Sequence, residues 1–215
     1  MKVFGAALLL TALSLVPASA ATVFYDFSID HCTGGCSPLT AQVQITDTVA
    51  NSVEITVSGT GFEFVNSTSH GDAFMFSLNG ITSVTYSDFT AGWRANQSDA
   101  LTTQAIGTPG GGGWTFDFSV TCHFTGGACP GNGASTPASP PLTFTVTAPG
   151  LSTSLFEPGN GTTAYFAADV LGNQARNTGL IGFTPETPSN GVPEPSTLLM
   201  LGSGLGLVAL LRRRP

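Results

Sequence analysis

Apolar and polar residues alternate with a period of two along the middle of this chain, and that pattern leaves few folds open. Trp114, Phe116, Phe118 and Val120 alternate with Thr115, Asp117, Ser119 and Thr121. Leu142, Phe144 and Val146 alternate with Thr143, Thr145 and Thr147. Shorter runs repeat the pattern: Val23, Tyr25 and Phe27; Val43 and Ile45; Val53, Ile55 and Val57; Phe62 and Phe64; Phe74, Phe76 and Leu78. Side chains of a strand point to alternate faces, so each run predicts a strand with one buried face. Asn79-Gly80 supplies a hairpin turn. Tyr165-Phe166-Ala167 and Leu180-Ile181-Gly182-Phe183 predict the last short strands. Close spacing with Gly, Asn and Pro punctuation predicts an all-β domain, an antiparallel β-sandwich of jelly-roll type. Asp99 to Ile106 has room for one helical turn, and no longer amphipathic helix is expected.

The two ends of the chain are built differently. Lys2 precedes an apolar stretch from Val3 to Val16, and Ala18-Ser19-Ala20 follows as a small-residue cleavage site. This predicts a signal peptide over residues 1–20, cut between Ala20 and Ala21, with the Sec translocon and signal peptidase as partners. The folded domain is expected over 21–184 and a Pro-containing linker over 185–192. Residues 193–215 form a tail.

That tail opens with Pro193-Glu194-Pro195. Two prolines fix φ and remove two backbone donors, so the segment is extended and open to a processing enzyme. Ser196 or Thr197 can cap the apolar run that ends at Leu211. A helix from Ser196 to Leu211 spans roughly 24 Å, short of a usual crossing but within reach of a thinned bilayer. Arg212, Arg213 and Arg214 then act as a cytoplasmic stop. In this order, over residues 192–215, the three parts resemble the PEP-CTERM sorting signal of exopolysaccharide-producing Gram-negative bacteria. The resemblance implies an exosortase, a membrane cysteine transpeptidase, as the partner that cleaves near Pro-Glu-Pro. It also implies release or attachment at the cell surface. The tail pattern is also labelled an ice-binding protein C-terminal domain, which describes the tail and not ice binding. Asp30-His31-Cys32-Thr33-Gly34-Gly35-Cys36, Phe166-Ala167-Ala168-Asp169 and Asn177-Thr178-Gly179-Leu180 further resemble PEP-CTERM proteins whose function is not known.

Charge excludes one class of partner. Residues 21–192 hold twelve acids against two bases, Arg94 and Arg176, for a net charge of −10, more acidic than the −7 of the whole chain. Nucleic-acid binding needs clustered Lys and Arg and is not expected. The four cysteines form two local pairs, Cys32 with Cys36 and Cys122 with Cys129, each enclosing Thr-Gly-Gly. In an exported chain two disulfides are expected. Three connectivities are possible, and the local one is favoured by proximity and turn chemistry. Zinc ligation with His31 and His123 is the competing reading, disfavoured by the Cys-x₃-Cys and Cys-x₆-Cys spacings.

Catalytic signals are sparse. His31, His70 and His123 are the only histidines, and no Gly-x-Ser-x-Gly elbow occurs. Glu54, Glu63 and Asp117 are candidate paired carboxylates for a glycoside hydrolase, but their alternation places them outward on solvated faces. No cofactor is expected beyond calcium, for which Asp26, Asp30, Asp72 and Asp169 offer hard oxygen ligands. Thr143, Thr145 and Thr147 make one outward threonine row, which Thr56 and Thr115 are not expected to extend. The preferred reading is a non-enzymatic surface or matrix protein with a structural or adhesive role in exopolysaccharide or biofilm. The alternative is a carbohydrate-binding module for exopolysaccharide. Trp93, beside Arg94, is its candidate stacking residue and is expected to be exposed, whereas Trp114 alternates like a core residue.

Overall fold

The structure is a computed structural model that describes residues 20–66, 72–96, 104–106, 113–131, 133–172 and 177–186. Several expectations lie outside the described residues: Ala18 of the signal site, His70, Asp99, the linker beyond 186 and the whole tail, with Pro193, Glu194, Pro195 and Arg212 to Arg214. The chain divides into two compact units, the first ending at Pro185 and the second beginning at Glu186.

The first unit is all-β. Its strands are β1 Thr22–Asp30, β2 Thr40–Asp47, β3 Ser52–Thr60, β4 Phe62–Phe64, β5 Phe74–Leu78, β6 Thr85–Ser87 and β7 Arg94–Ala95. They continue as β8 Gln104–Ile106, β9 Trp114–Phe116, β10 Phe118–Thr121, β11 Leu142–Thr147, β12 Phe156–Glu157, β13 Phe166–Gly172 and β14 Thr178–Pro185. Helical structure among the described residues is limited to two 3₁₀ turns, Gly133–Ser135 and Thr153–Leu155. No helix among them is long and apolar enough to cross a membrane. Where Asp99 to Ile106 had room for a helical turn, residues 104–106 form β8 instead, paired with β9.

One antiparallel sheet runs β6-β11-β3-β2-β1-β14-β13-β5-β10-β7, with β12 on β5 and β4 on β13. Rings from distant parts of this path meet inside. Phe144 of β11 lies 6.1 Å from Phe74 and 6.2 Å from Phe76, both on β5. Six steps of the path separate β11 from β5, so the sheet curls over on itself and nearly closes as a barrel. The expected antiparallel all-β class holds. The two stacked layers of a sandwich do not form, because β1 pairs with both β2 and β14 and carries the hydrogen bonding through, and only the two-stranded β8-β9 sheet stands apart.

Apolar side chains line the interior. Val43, Ile45, Val53, Ile55, Val57, Phe74, Phe76, Phe144, Phe166 and Phe183 are fully buried there. Each contributes roughly 1.5–3 kcal/mol by leaving water.

A second, smaller cluster sits on the opposite face of the sheet: Met75, Trp114, Phe116, Ala164, Ala167 and Leu180, with Ile29 against it. The continuous alternation from Trp114 to Val120 conceals this division. The chain bends at Asp117, whose amide reaches Ser77 Oγ at 3.3 Å. Trp114 and Phe116 therefore go to the outer cluster, and Phe118 and Val120 to the interior. A register shift between Phe27 and Ile29 re-aims Ile29 in the same way. Gly182 of β14 makes room for this cluster. A Cβ there would lie 3.0 Å from both the Trp114 ring and the Ala164 methyl.

Candidate functional site

Four cysteines, two aspartates and a tail are the chemically informative parts of the chain. The structure joins Cys32 to Cys36 and Cys122 to Cys129, so it carries the local connectivity. All four sulfurs are buried and no free cysteine remains among the described residues. Asp30 lies close enough to Cys32 and Cys36 for the three to suggest a metal cluster. With the two sulfurs bonded to each other, no thiolate is available to hold zinc there.

Asp30 has a different task. Its Oδ1 accepts the Cys32 amide at 3.0 Å, and its Oδ2 accepts the amides of Cys36 at 2.8 Å and Ser37 at 3.4 Å. The loop then docks on the start of β14. Asn177 Nδ2 donates to the Gly35 carbonyl at 2.8 Å, and the amide of His31 to the Leu180 carbonyl at 2.9 Å. Gly179 lies so close beneath that a Cβ would sit 2.6 Å from Cys32 Cα. The Asp30–Cys36 and Asn177–Leu180 segments, distant in sequence, are thus two halves of one contact.

The second loop docks elsewhere. The Ala128 amide donates to the Gly92 carbonyl at 2.8 Å, and the Arg94 guanidinium lies 4.2 Å from the Phe124 ring centre. His123 Nδ1 is 3.3 Å from the Cys129 carbonyl, and His31 meets the Trp114 ring edge-on at 4.8 Å.

Trp93 corrects the sequence reading. It is 6% exposed and packs edge-on against Phe64 at 5.0 Å, so neither ring face is offered to a sugar. Arg94 takes the outward position of the alternating pair, which turns Trp93 inward. Trp114 is buried as its alternation implied, though in the outer cluster. Glu54 and Glu63 lie on β3 and β4, separated along the sheet path by β2, β1, β14 and β13.

Thr56 also differs from expectation. It is the register partner of Thr143, with the two hydroxyls 3.1 Å apart, so it extends the threonine row sideways. A groove of about 410 Å³ lined by Asn51, Ser83, Val84, Thr85, Thr147, Ala148 and Pro149 carries no ionisable side chain.

The four calcium candidates divide into two groups. Asp26 is exposed on β1 and accepts from Gln42 Nε2 at 2.9 Å. Asp30 is committed to its loop. Asp72 and Asp169 come together, close enough that the Asp72 charge, after burial, helps push the Asp169 carboxyl up to about 7.

A disulfide-bonded all-β domain followed by a separate C-terminal unit is the class of protein these observations define. Within that second unit, residues 191–214 match the PEP-CTERM protein-sorting motif. The chain therefore carries that motif, which implies an exosortase as processing partner and an exported, membrane-associated protein sorted to the cell surface. No curated protein and no solved structure matches the chain.

Proposed function

We propose that the folded domain is a non-catalytic structural or adhesive module of the cell surface or its exopolysaccharide matrix. The chain enters the Sec translocon, loses residues 1–20 to signal peptidase, and is held in the membrane by its C-terminal apolar run. Exosortase then cuts near Pro193-Glu194-Pro195 and sends the domain to its destination. The sorting motif at 191–214 carries the sorting part of this reading. Two buried disulfides in the domain support it, since such bonds persist in oxidising compartments. A strongly acidic surface suits a protein that stays dispersed among its own copies and touches anionic polymer through bridging cations.

The test replaces Pro193 and Pro195 by alanine in the native host. The expected outcome is an uncut protein that stays with the membrane fraction. An unchanged mature mass and an unchanged destination would overturn the sorting route.

A further inference from the structure

We propose that Asp72 and Asp169 form a binding site for a hard divalent cation of the calcium type. Asp72 lies just before β5 and is completely buried. Its Oδ1 accepts from Asn96 Nδ2 at 2.7 Å and also from Ser119 Oγ. Its Oδ2 is buried and meets no hydrogen-bond donor among the described residues. With both donors gathered on Oδ1, one carboxylate oxygen is left bare in a place water does not reach.

Strand β13 brings the second carboxylate to it. The Asp169 amide donates to the carbonyl of Ala73, the neighbour of Asp72, at 3.0 Å, and the Val65 amide donates to the Asp169 carbonyl at 2.9 Å. The backbone of Asp169 is therefore fixed on both sides, against the residue that follows Asp72.

Two neighbouring acids, one with an orphan oxygen, make a poor resting state for a fold. A cation between them would remove the repulsion and satisfy the bare oxygen together. Arg94, the basic side chain among the described residues, is engaged over Phe124 instead. The donors are carboxylate oxygens, with no thiolate or imidazole, which selects calcium over zinc. Extracellular calcium modules of modest charge bind at about 10⁻⁴–10⁻³ M.

The experiment uses the full chain in detergent, stripped with EDTA and titrated with calcium chloride at pH 8. Heat release and the thermal midpoint are both followed. About 10 mM calcium should raise the midpoint by roughly 3–10 °C. Asp169→Asn should lose that rise while unfolding no earlier than the calcium-free parent, because it removes a like charge and leaves the Asn96 and Ser119 bonds to Asp72 in place. Asp72→Asn should lose the rise as well, and Asp26→Asn should keep it. Absence of any calcium-dependent rise in the parent chain would overturn the site. So would a rise of the same size in Asp169→Asn, or a pair that takes up a proton and no metal.

Discussion

In the tail, residues that act together are neighbours in sequence. Pro193, Glu194 and Pro195 are consecutive, and Arg212 to Arg214 close the same short segment. In the domain, residues that act together are scattered. Asp72 lies in electrostatic range of Asp169, Trp114 covers Gly182, and the Cys32 loop rests on Gly179. The contrast is why the tail can be read as a motif, at 191–214, while the contacts of the domain emerge only from its fold. A peptide signal tolerates no rearrangement of order. A β domain can keep its sheet while nearly every outward residue changes, so its chemistry has to be found by contact.

Changes in the domain should register as stability and leave the position of the tail cut alone. Phe166→Ala should act most strongly. The ring is fully buried among Tyr25, Phe74 and Phe156, and its loss should lower the unfolding free energy by about 3–5 kcal/mol in denaturant titration.

Protonation of Asp169 comes next. Its carboxyl stands at about 7 in the fold against 3.8 as its ordinary value. A raised carboxyl means that the fold holds the proton more tightly than the unfolded chain. The resulting stabilisation is complete below pH of about 4 and disappears as pH rises through about 7. In calcium-free buffer the parent chain should lose on the order of 2–4 kcal/mol more than Asp169→Asn between those limits, as an upper bound for a partly solvated group. Parallel pH profiles of the two would contradict the shift.

Opening a disulfide should act least. Replacing Cys32 and Cys36 by serine should cost about 2 kcal/mol, and replacing Cys122 and Cys129 about the same, because short loops restrict the unfolded chain weakly. A cut tail whose end moved in any of these variants would dissolve the distinction between the two regions.

Strand positions were open to the sequence because alternation is a local property. Val53, Ile55 and Val57 point inward as their spacing requires, and so do Leu142, Phe144 and Val146. Facing was lost wherever the backbone broke the period. The shift between Phe27 and Ile29, and the bend at Asp117, each moved apolar side chains to the second cluster without changing the alternation on paper. Trp93 reads as exposed in sequence because of its polar neighbour, whereas Arg94 faces outward and Trp93 inward. The Asp72–Asp169 pair had no local trace. Both acids stood among the calcium candidates, but only the pairing of β13 with β5 brings them together. Thr56 beside Thr143 is the same lesson on the outer surface, since register is a property of two strands.

The central claim is that a disulfide-bonded domain is delivered by a tail that is then removed, and the mass of the mature protein from its native host tests it most directly. The account predicts a chain that starts at Ala21, ends near Pro193-Glu194-Pro195, and contains both disulfides in oxidised form. A mature protein that still carries the apolar run and Arg212 to Arg214 would contradict it.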